Sequence, residues 1–386
     1  MPGLRRVVVV GGGLAGARAV RELRAQGFGG EVVLVGAEAR RPYDRPPLSK
    51  DVLLGRSDDA ALDVDWPALD VDLRLGVRAT GLEAGVLRTS DGDVGWDGLV
   101  LAVGADARRL GGARVLRTLD DALALRAALV PGARVVVVGA GWVGAEVATA
   151  AAAAGCRTTV VEAGPSPLPA LGGQGRWTAP WYAAAGVDLR LEAPVARAAS
   201  DEVVLQDGTV LDADVVVAGV GARPATGWLA GTGLLEDGAV ACDEHLAARW
   251  PGVVAAGDCA SWTSRRYGGR LRVEHWDDAL QAPAVAVTTL LGGDAVHDPV
   301  PYFWSDQLGH VVQLAGVPRG EAVHRGDPQG GAGWSVCWLQ DSRLQAVLAV
   351  DRPRDLVQGR RLVAEGRVVD PARLADADVP LKALGG

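Results

Sequence analysis

VVVVGGGLAG, Val7 to Gly16, and VVVVGAGWVG, Val135 to Gly144, are two copies of one phosphate-binding sentence. Each is a β-branched run of the kind that forms a buried parallel strand, then G-x-G-x-x-G, then a helix-compatible stretch, ARAVRELRAQ or AEVATAAAAA. Gly11 and Gly139 serve the tight turn. Gly13 and Gly141 let backbone approach a pyrophosphate, and Gly16 and Gly144 let helix pack on strand. Leu14 and Ala15, like Trp142 and Val143, stand at the helix N-terminus that faces the phosphates. One such motif fits an ordinary glycine-rich turn; two in full strand–turn–helix context predict two nucleotides.

Reading outward from these anchors, the first unit takes EVVLVG, Glu31 to Gly36, as its second strand and closes near DGLVLAVGADARR, residues 97–109. The second has its second strand at TTVVEAG, residues 158–164, and closes at ADVVVAGVGARP, residues 213–224. GVVAAGDCA, Gly252 to Ala260, is a buried strand that resumes the first unit, so the second is read as inserted in it. From Pro301 the pattern changes to short strands (HVVQLAG, WSVCWLQ, LQAVLAV) and a late helix, DLVQGRRLVAEG. The expected domains are residues 1–108 and 225–300 for the first nucleotide, 109–224 for the second, and a C-terminal α+β domain over 301–386.

Composition sets the class. A chain of 386 residues, 49% hydrophobic and 22% charged, fits a soluble protein of two or three cores. The opening MPGLRR imitates a signal peptide, but only four apolar residues precede the glycines, and no run approaches the roughly 20 that span a bilayer. No membrane partner and a cytoplasmic location are expected. The net charge of −8 argues against nucleic acid, though a local basic patch would still dock an acidic protein. Cys156, Cys242, Cys259 and Cys337 form no C-x-x-C, so packing is their expected role, and no metal site is expected. Of 39 basic residues only Lys50 and Lys382 are lysine, which marks both as places where a planar guanidinium does not serve.

RPYDRPPLSK, Arg41 to Lys50, decides the family. Together with GDCA (Gly257 to Ala260), VEHWDDAL (Val273 to Leu280) and PYFWSDQLG (Pro301 to Gly309), it resembles the FAD-dependent ferredoxin reductases of bacterial oxygenase systems. The likeness runs down to VPLK, Val379 to Lys382. It implies a glutathione-reductase-like α/β fold: two Rossmann-like domains, an NAD domain inserted in an FAD domain, and a C-terminal α+β domain.

The resemblance also implies residue roles. Related disulfide reductases carry a cysteine pair after the first nucleotide unit; PYDRPPLSK takes that place here, so electrons leave the flavin for an external acceptor. Asp258 matches the aspartate beside the flavin ribityl chain. Arg45, Pro46, Lys50, Ala79, Ala102, Val103, Gly104, Arg117, Gly257, Glu274 and His275 match other FAD-side positions. Trp276 and Trp304 match the aromatics that wall the isoalloxazine, and Trp142 the mobile gate over it. Glu146 pairs with Lys50 across the reacting ring, while Gly219, Val220 and Gly221 line the dinucleotide. From the residues themselves, Glu162 ends the second strand of the inserted unit, where a carboxylate accepts from a ribose diol and repels a 2′-phosphate; NADH is therefore favoured over NADPH.

Departures from the pattern stand beside these matches. Ala37 occupies the place of an acid that holds the adenosine ribose, with Glu38 one residue on as its substitute, and weaker FAD binding is the expected cost. Gln281 stands one place early and is followed by Ala282 and Pro283, so an altered helix start is expected there. The first unit closes on Ala102-Val103-Gly104 with one hydroxyl fewer. The expected reaction is hydride transfer from NADH to FAD, then single-electron transfer to an acidic two-iron ferredoxin docked near Trp304. NADH oxidase or peroxidase is disfavoured because no cysteine falls near Lys50. A flavoprotein of the apoptosis-inducing-factor type, acting through a long-lived NADH complex, stays open as the alternative, as does the oligomeric state.

Overall fold

The computed structural model describes residues 3–384; Met1 and Pro2, which begin the MPGLRR opening, lie outside the described residues. Along the chain run β1 (Arg6–Val10), α1 (Leu14–Ala25), β2 (Glu31–Gly36), β3 (Val71–Leu75), β4 (Gly98–Leu101), α2 (Leu119–Ala128), β5 (Arg134–Val138) and α3 (Trp142–Ala153). They continue as β6 (Arg157–Val161), β7 (Asp188–Arg190), β8 (Val215–Ala218), β9 (Val253–Ala255), α4 (Trp276–Leu290), β10 (Tyr302–Gln307), β11 (His310–Gly316), β12 (Glu321–Arg325), β13 (Trp334–Gln340), β14 (Arg343–Val350) and α5 (Pro353–Glu365). Small meanders, such as Ala79–Glu83, Val86–Thr89 and Gly92–Gly95, fill the connections.

The chain divides into two compact units. The first holds the residues up to Asp44, Ala60–Asp106 and Ala222–Pro299. Its parallel sheet has the order β9-β4-β1-β2-β3, with Val7 opposite Val32 on one side and Gly98 on the other. Val7 to Val10 are at most 2% exposed, as a strand covered on both faces requires, and this is why the run reads apolar at every position. α4 starts at Trp276 and carries Pro283 inside it, so Ala279 loses its usual intrahelical partner without ending the helix.

The second unit holds Arg45–Asp59, Ala107–Gly221 and the residues from Val300 onward. It contains the second nucleotide sheet, order β7-β6-β5-β8, all parallel, and the antiparallel C-terminal sheet, order β10-β11-β14-β13-β12. α5 covers the latter, placing Leu356, Leu362 and Val363 in a core with Val347 and Ala349. Arg325, fully buried, gathers the tail by donating to the carbonyls of Leu374, Asp376 and Val379, with Asp355 as its counter-ion at 3.5 Å. Arg45–Asp59 is fastened within this unit: Arg45 donates to the Arg117 carbonyl at 2.5 Å, and Arg126 to the carbonyls of Val52 and Ser57 and to Asp58.

Candidate active site

The two glycine loops have one geometry. Gly11 N–H donates to the Val35 carbonyl, and Gly139 N–H to that of Val161, each at 2.8 Å. Their φ values of +123° and +98° lie where only glycine is comfortable, and a Cβ on either would press on the carbonyl of Ala102 or Gly219. At Gly13 a Cβ would meet nothing within 4 Å, and at Gly141 only the Gly219 oxygen at 3.9 Å, so both loops keep an open outer face. The helices behind them start without any side-chain cap, whereas α2 starts with a Thr118–Asp121 capping box. Uncapped N–H groups behind an open glycine cradle fit a pyrophosphate at each loop.

In the first unit, Glu38 and Tyr43 are joined, the phenol donating to Glu38 Oε2 at 2.6 Å; Ala37 precedes the acid on the exposed turn. Asp44 accepts from the Trp276 indole at 2.7 Å, which ties the PYDRPP turn to the start of α4. Ala102, Val103 and Gly104 follow β4 directly, and Ala79 opens the meander strand opposite Thr89. Gly257 and Asp258 follow β9, and the Asp258 charge reaches both His275 and Asp278. Burial pushes the His275 imidazole down to about 4, against the opposing pull of Asp258 and Asp277. Glu274 is exposed and ion-paired with Arg272.

The second unit assembles the catalytic candidates. Glu146 lies on α3, only 4% exposed. Its Oε1 takes Lys50 Nζ at 2.9 Å and Ser305 Oγ at 2.6 Å, and its Oε2 takes the Ser49 hydroxyl. Lys50 stands at the end of the short 3-10 turn Pro46–Ser49, its ammonium 5.8 Å from the Trp304 ring centre, within cation–π range. Trp304 stacks on Tyr302 at 6.0 Å, and Trp142 leans on Phe303 at 4.6 Å. Glu162 receives the N–H of Ala140 at 2.8 Å and of Gly164 at 2.9 Å, one on each carboxylate oxygen. That clamp holds the acid against the glycine loop with lone pairs to spare for ribose hydroxyls. Val143 and Val220 are exposed, at 41% and 36%, beside the loop closed by Gly219 and Gly221.

Sequence reasoning singled out Lys50, Glu146, Trp142 and Trp304; Lys50, Glu146 and Trp304 stand together here, with Trp142 one helical turn before Glu146 and against Phe303. It passed over Ser49 and Ser305, although both lie inside the quoted motifs. Burial pushes the thiols of Cys242 and Cys337 up to about 12 and that of Cys259 to about 11, so these three stay protonated at neutral pH. No disulfide links any of the four cysteines. Among the described residues no helix is long and apolar enough to cross a membrane.

Comparison with known proteins shows the family. Residues 5–282 match the family model described as pyridine nucleotide-disulphide oxidoreductase, and residues 302–385 match that described as reductase C-terminal. The ferredoxin reductase subunit of 5,5'-dehydrodivanillate O-demethylase from a Sphingobium species is 37% identical, over 98% of this chain and 97% of its own. The ferredoxin--NAD(+) reductase component of the biphenyl dioxygenase system from Paraburkholderia xenovorans is 35% identical, over 98% of each. A crystal structure of the covalent putidaredoxin reductase–putidaredoxin complex superposes with a TM-score of 0.92 at 31% identity, covering 98% of both chains. The chain belongs to the FAD-binding, NAD(H)-dependent pyridine nucleotide-disulphide oxidoreductases, in the branch that carries the reductase C-terminal domain.

Proposed function

We propose that this protein is an NADH-dependent ferredoxin reductase of the cytoplasm, serving an acidic two-iron ferredoxin that feeds an oxygenase. The observation that carries the reading is the buried Glu146 carboxylate joined to Lys50 beside Trp304 and Trp142, on the helix that the second nucleotide loop begins. Gly11, Gly13 and Gly16 with Glu38 and Asp258 would hold FAD from the first unit, and Gly139, Gly141, Gly144 and Glu162 would hold NADH. Bound FAD supplies the two-electron to one-electron conversion that amino-acid side chains lack.

The chain's own residues do the rest. Glu162 selects the unphosphorylated ribose by accepting from its hydroxyls. Glu146 holds the Lys50 ammonium at a fixed place, a preorganised positive charge for the negative charge that develops on reduction. Trp142 covers the position at which the nicotinamide arrives, and no side chain acts as a covalent nucleophile. PYDRPPLSK stands where related disulfide reductases carry a cysteine pair, and Cys156, Cys242, Cys259 and Cys337 form no C-x-x-C, so an external acceptor takes the electrons. Support for a ferredoxin acceptor comes from the relatives' names and the captured putidaredoxin complex.

Anaerobic stopped-flow tests the reading: NADH should bleach the flavin within seconds, and a two-iron ferredoxin added next should restore its absorbance in single-electron steps. A reduced form that persists with NAD+ bound, indifferent to every ferredoxin tried, would overturn it.

A further inference from the structure

α3 and β10 meet with matched spacing. Trp142, Glu146 and Thr149 follow i, i+4, i+7, one stripe of a helix, while Phe303, Ser305 and Gln307 alternate along a strand and share a face. Four helical residues advance about 6 Å and two strand residues about 6.6 Å, so the first two contacts stay in step; a third falls just past the end of β10. The first rung is the Trp142–Phe303 ring pair at 4.6 Å. The second is the Ser305 hydroxyl on Glu146 Oε1 at 2.6 Å, and the third is the Leu308 N–H on Thr149 Oγ1 at 2.8 Å. Ser305 is fully buried, and Gln307, 1% exposed, donates to its Oγ at 3.2 Å. An oxygen that accepts from Gln307 turns its own hydrogen to Glu146.

We propose that Ser305, oriented by Gln307, is a positioning residue for flavin reduction: it shares the Glu146 carboxylate with Lys50 and so leaves part of the ammonium charge for the cofactor. In a buried site an acid and a base with no other partner neutralise each other. Here Oε1 is divided between an ammonium and a hydroxyl, and Oε2 is taken by Ser49, so the carboxylate is solvated by protein groups rather than by Lys50 alone. Removing the hydroxyl tightens the pair and withdraws charge from the flavin. The inference rests on the reading that Lys50 faces the flavin.

The test uses the full-length, FAD-loaded protein and compares wild type with Ser305→Ala, Gln307→Leu, Thr149→Val and Lys50→Met. The flavin potential is read by equilibrium titration against a reference dye, and the limiting rate of flavin reduction and the NADH dissociation constant by stopped-flow. Ser305→Ala should lower the ratio of reduced to oxidised flavin at fixed potential about threefold, roughly 14 mV for a two-electron couple. It should slow the limiting rate with the dissociation constant unchanged. Gln307→Leu should move both in the same direction by less, and Thr149→Val, which breaks the neighbouring rung, should leave the potential alone. If Lys50→Met shifts the potential and Ser305→Ala does not, the inference falls and the Lys50 reading stands. If Thr149→Val shifts it as much as Ser305→Ala, the effect is one of packing and the inference falls. If Lys50→Met shifts nothing, both fall.

Discussion

The Trp276 indole donates to Asp44 across 2.7 Å, so the residue read as a wall of the flavin site takes its orientation from the PYDRPP turn. Asp44→Ala removes a charged acceptor from a part-buried donor, a loss of about 1.5 kcal/mol. The FAD dissociation constant, followed by the fluorescence of released flavin, should rise about tenfold. Asp44→Asn keeps an acceptor oxygen and should stay within about threefold of wild type. Wild-type affinity in both variants would remove Trp276 from the flavin site.

Cofactor choice rests on Glu162. Because backbone N–H groups of Ala140 and Gly164 clamp its two oxygens, the carboxylate is placed before any dinucleotide arrives. NADH should exceed NADPH in flavin reduction efficiency by at least tenfold, about 1.4 kcal/mol. Glu162→Ala should narrow the gap chiefly by weakening NADH, and equal efficiencies in the wild type would sink the assignment.

Lys50→Arg tests whether the ammonium is required as a point charge. The planar guanidinium keeps the charge but fills more of the space against Trp304. Flavin reduction in a single turnover should slow by about tenfold or more, about 1.4 kcal/mol of barrier. An unimpaired arginine variant would mean that charge alone suffices.

Lys382 is exposed on the tail that Arg325 gathers through the carbonyls of Asp376 and Val379. If an acidic ferredoxin docks there, Lys382→Glu should raise its apparent KM and flatten the salt dependence of electron transfer. Ferricyanide reduction by NADH should be untouched; parallel loss of both activities would make the lysine structural. Should neither activity change, docking lies elsewhere, with Arg265, Arg266 and Arg270 the next candidates; of these Arg265 is already paired with Glu244, and Arg270 lies 3.3 Å from Glu236 while donating to the carbonyls of Cys242 and Ser261. The charge of Arg265 and Arg270 is largely committed, so Lys382 is the first variant to make.

His275 gives a pH signature. Its folded pKa, held down to about 4 by burial, lies below the ordinary 6.5, so the unfolded chain binds the proton first. This contribution is fully present above about pH 6.5 and is lost as pH falls toward 4, at most about 3 kcal/mol. Asp278, whose carboxyl burial pushes up, works in the opposite sense and cancels when wild type is compared with His275→Asn. Urea midpoints between pH 7 and 4 should fall less steeply in the variant; identical slopes would show that the imidazole is not desolvated.

Much of this was legible in the chain itself. The valine runs and glycine loops predict β1, α1, β2, β5, α3 and β6, because a strand buried on both faces and a turn that excludes Cβ each leave an unambiguous mark. The meander strands at 79–95 escaped notice because Gly81, Gly92 and Gly95 interrupt short, half-exposed segments. The grouping of Arg45–Asp59 with the second unit was equally hidden, since it depends on Arg45 reaching the Arg117 carbonyl and on Arg126 reaching those of Val52 and Ser57, all far apart along the chain. Ser305 failed for a related reason. Alternation along YFWSDQ says that Phe303, Ser305 and Gln307 share a face, but only the tertiary structure says that a carboxylate waits opposite.

The in-step meeting of α3 with β10 bears on how these proteins tolerate change. One inserted residue turns a helix by about 100° but flips a strand to its other face, so no single insertion in either partner can be matched by one in the other. Between Trp142 and Glu146, and between Phe303 and Ser305, chain length is therefore frozen while side chains remain free to vary in kind. A chimera joining the nucleotide unit of one relative to the C-terminal domain of another has to take both stretches from the same parent, or trade the Glu146 contact for a mismatch that no later point substitution repairs.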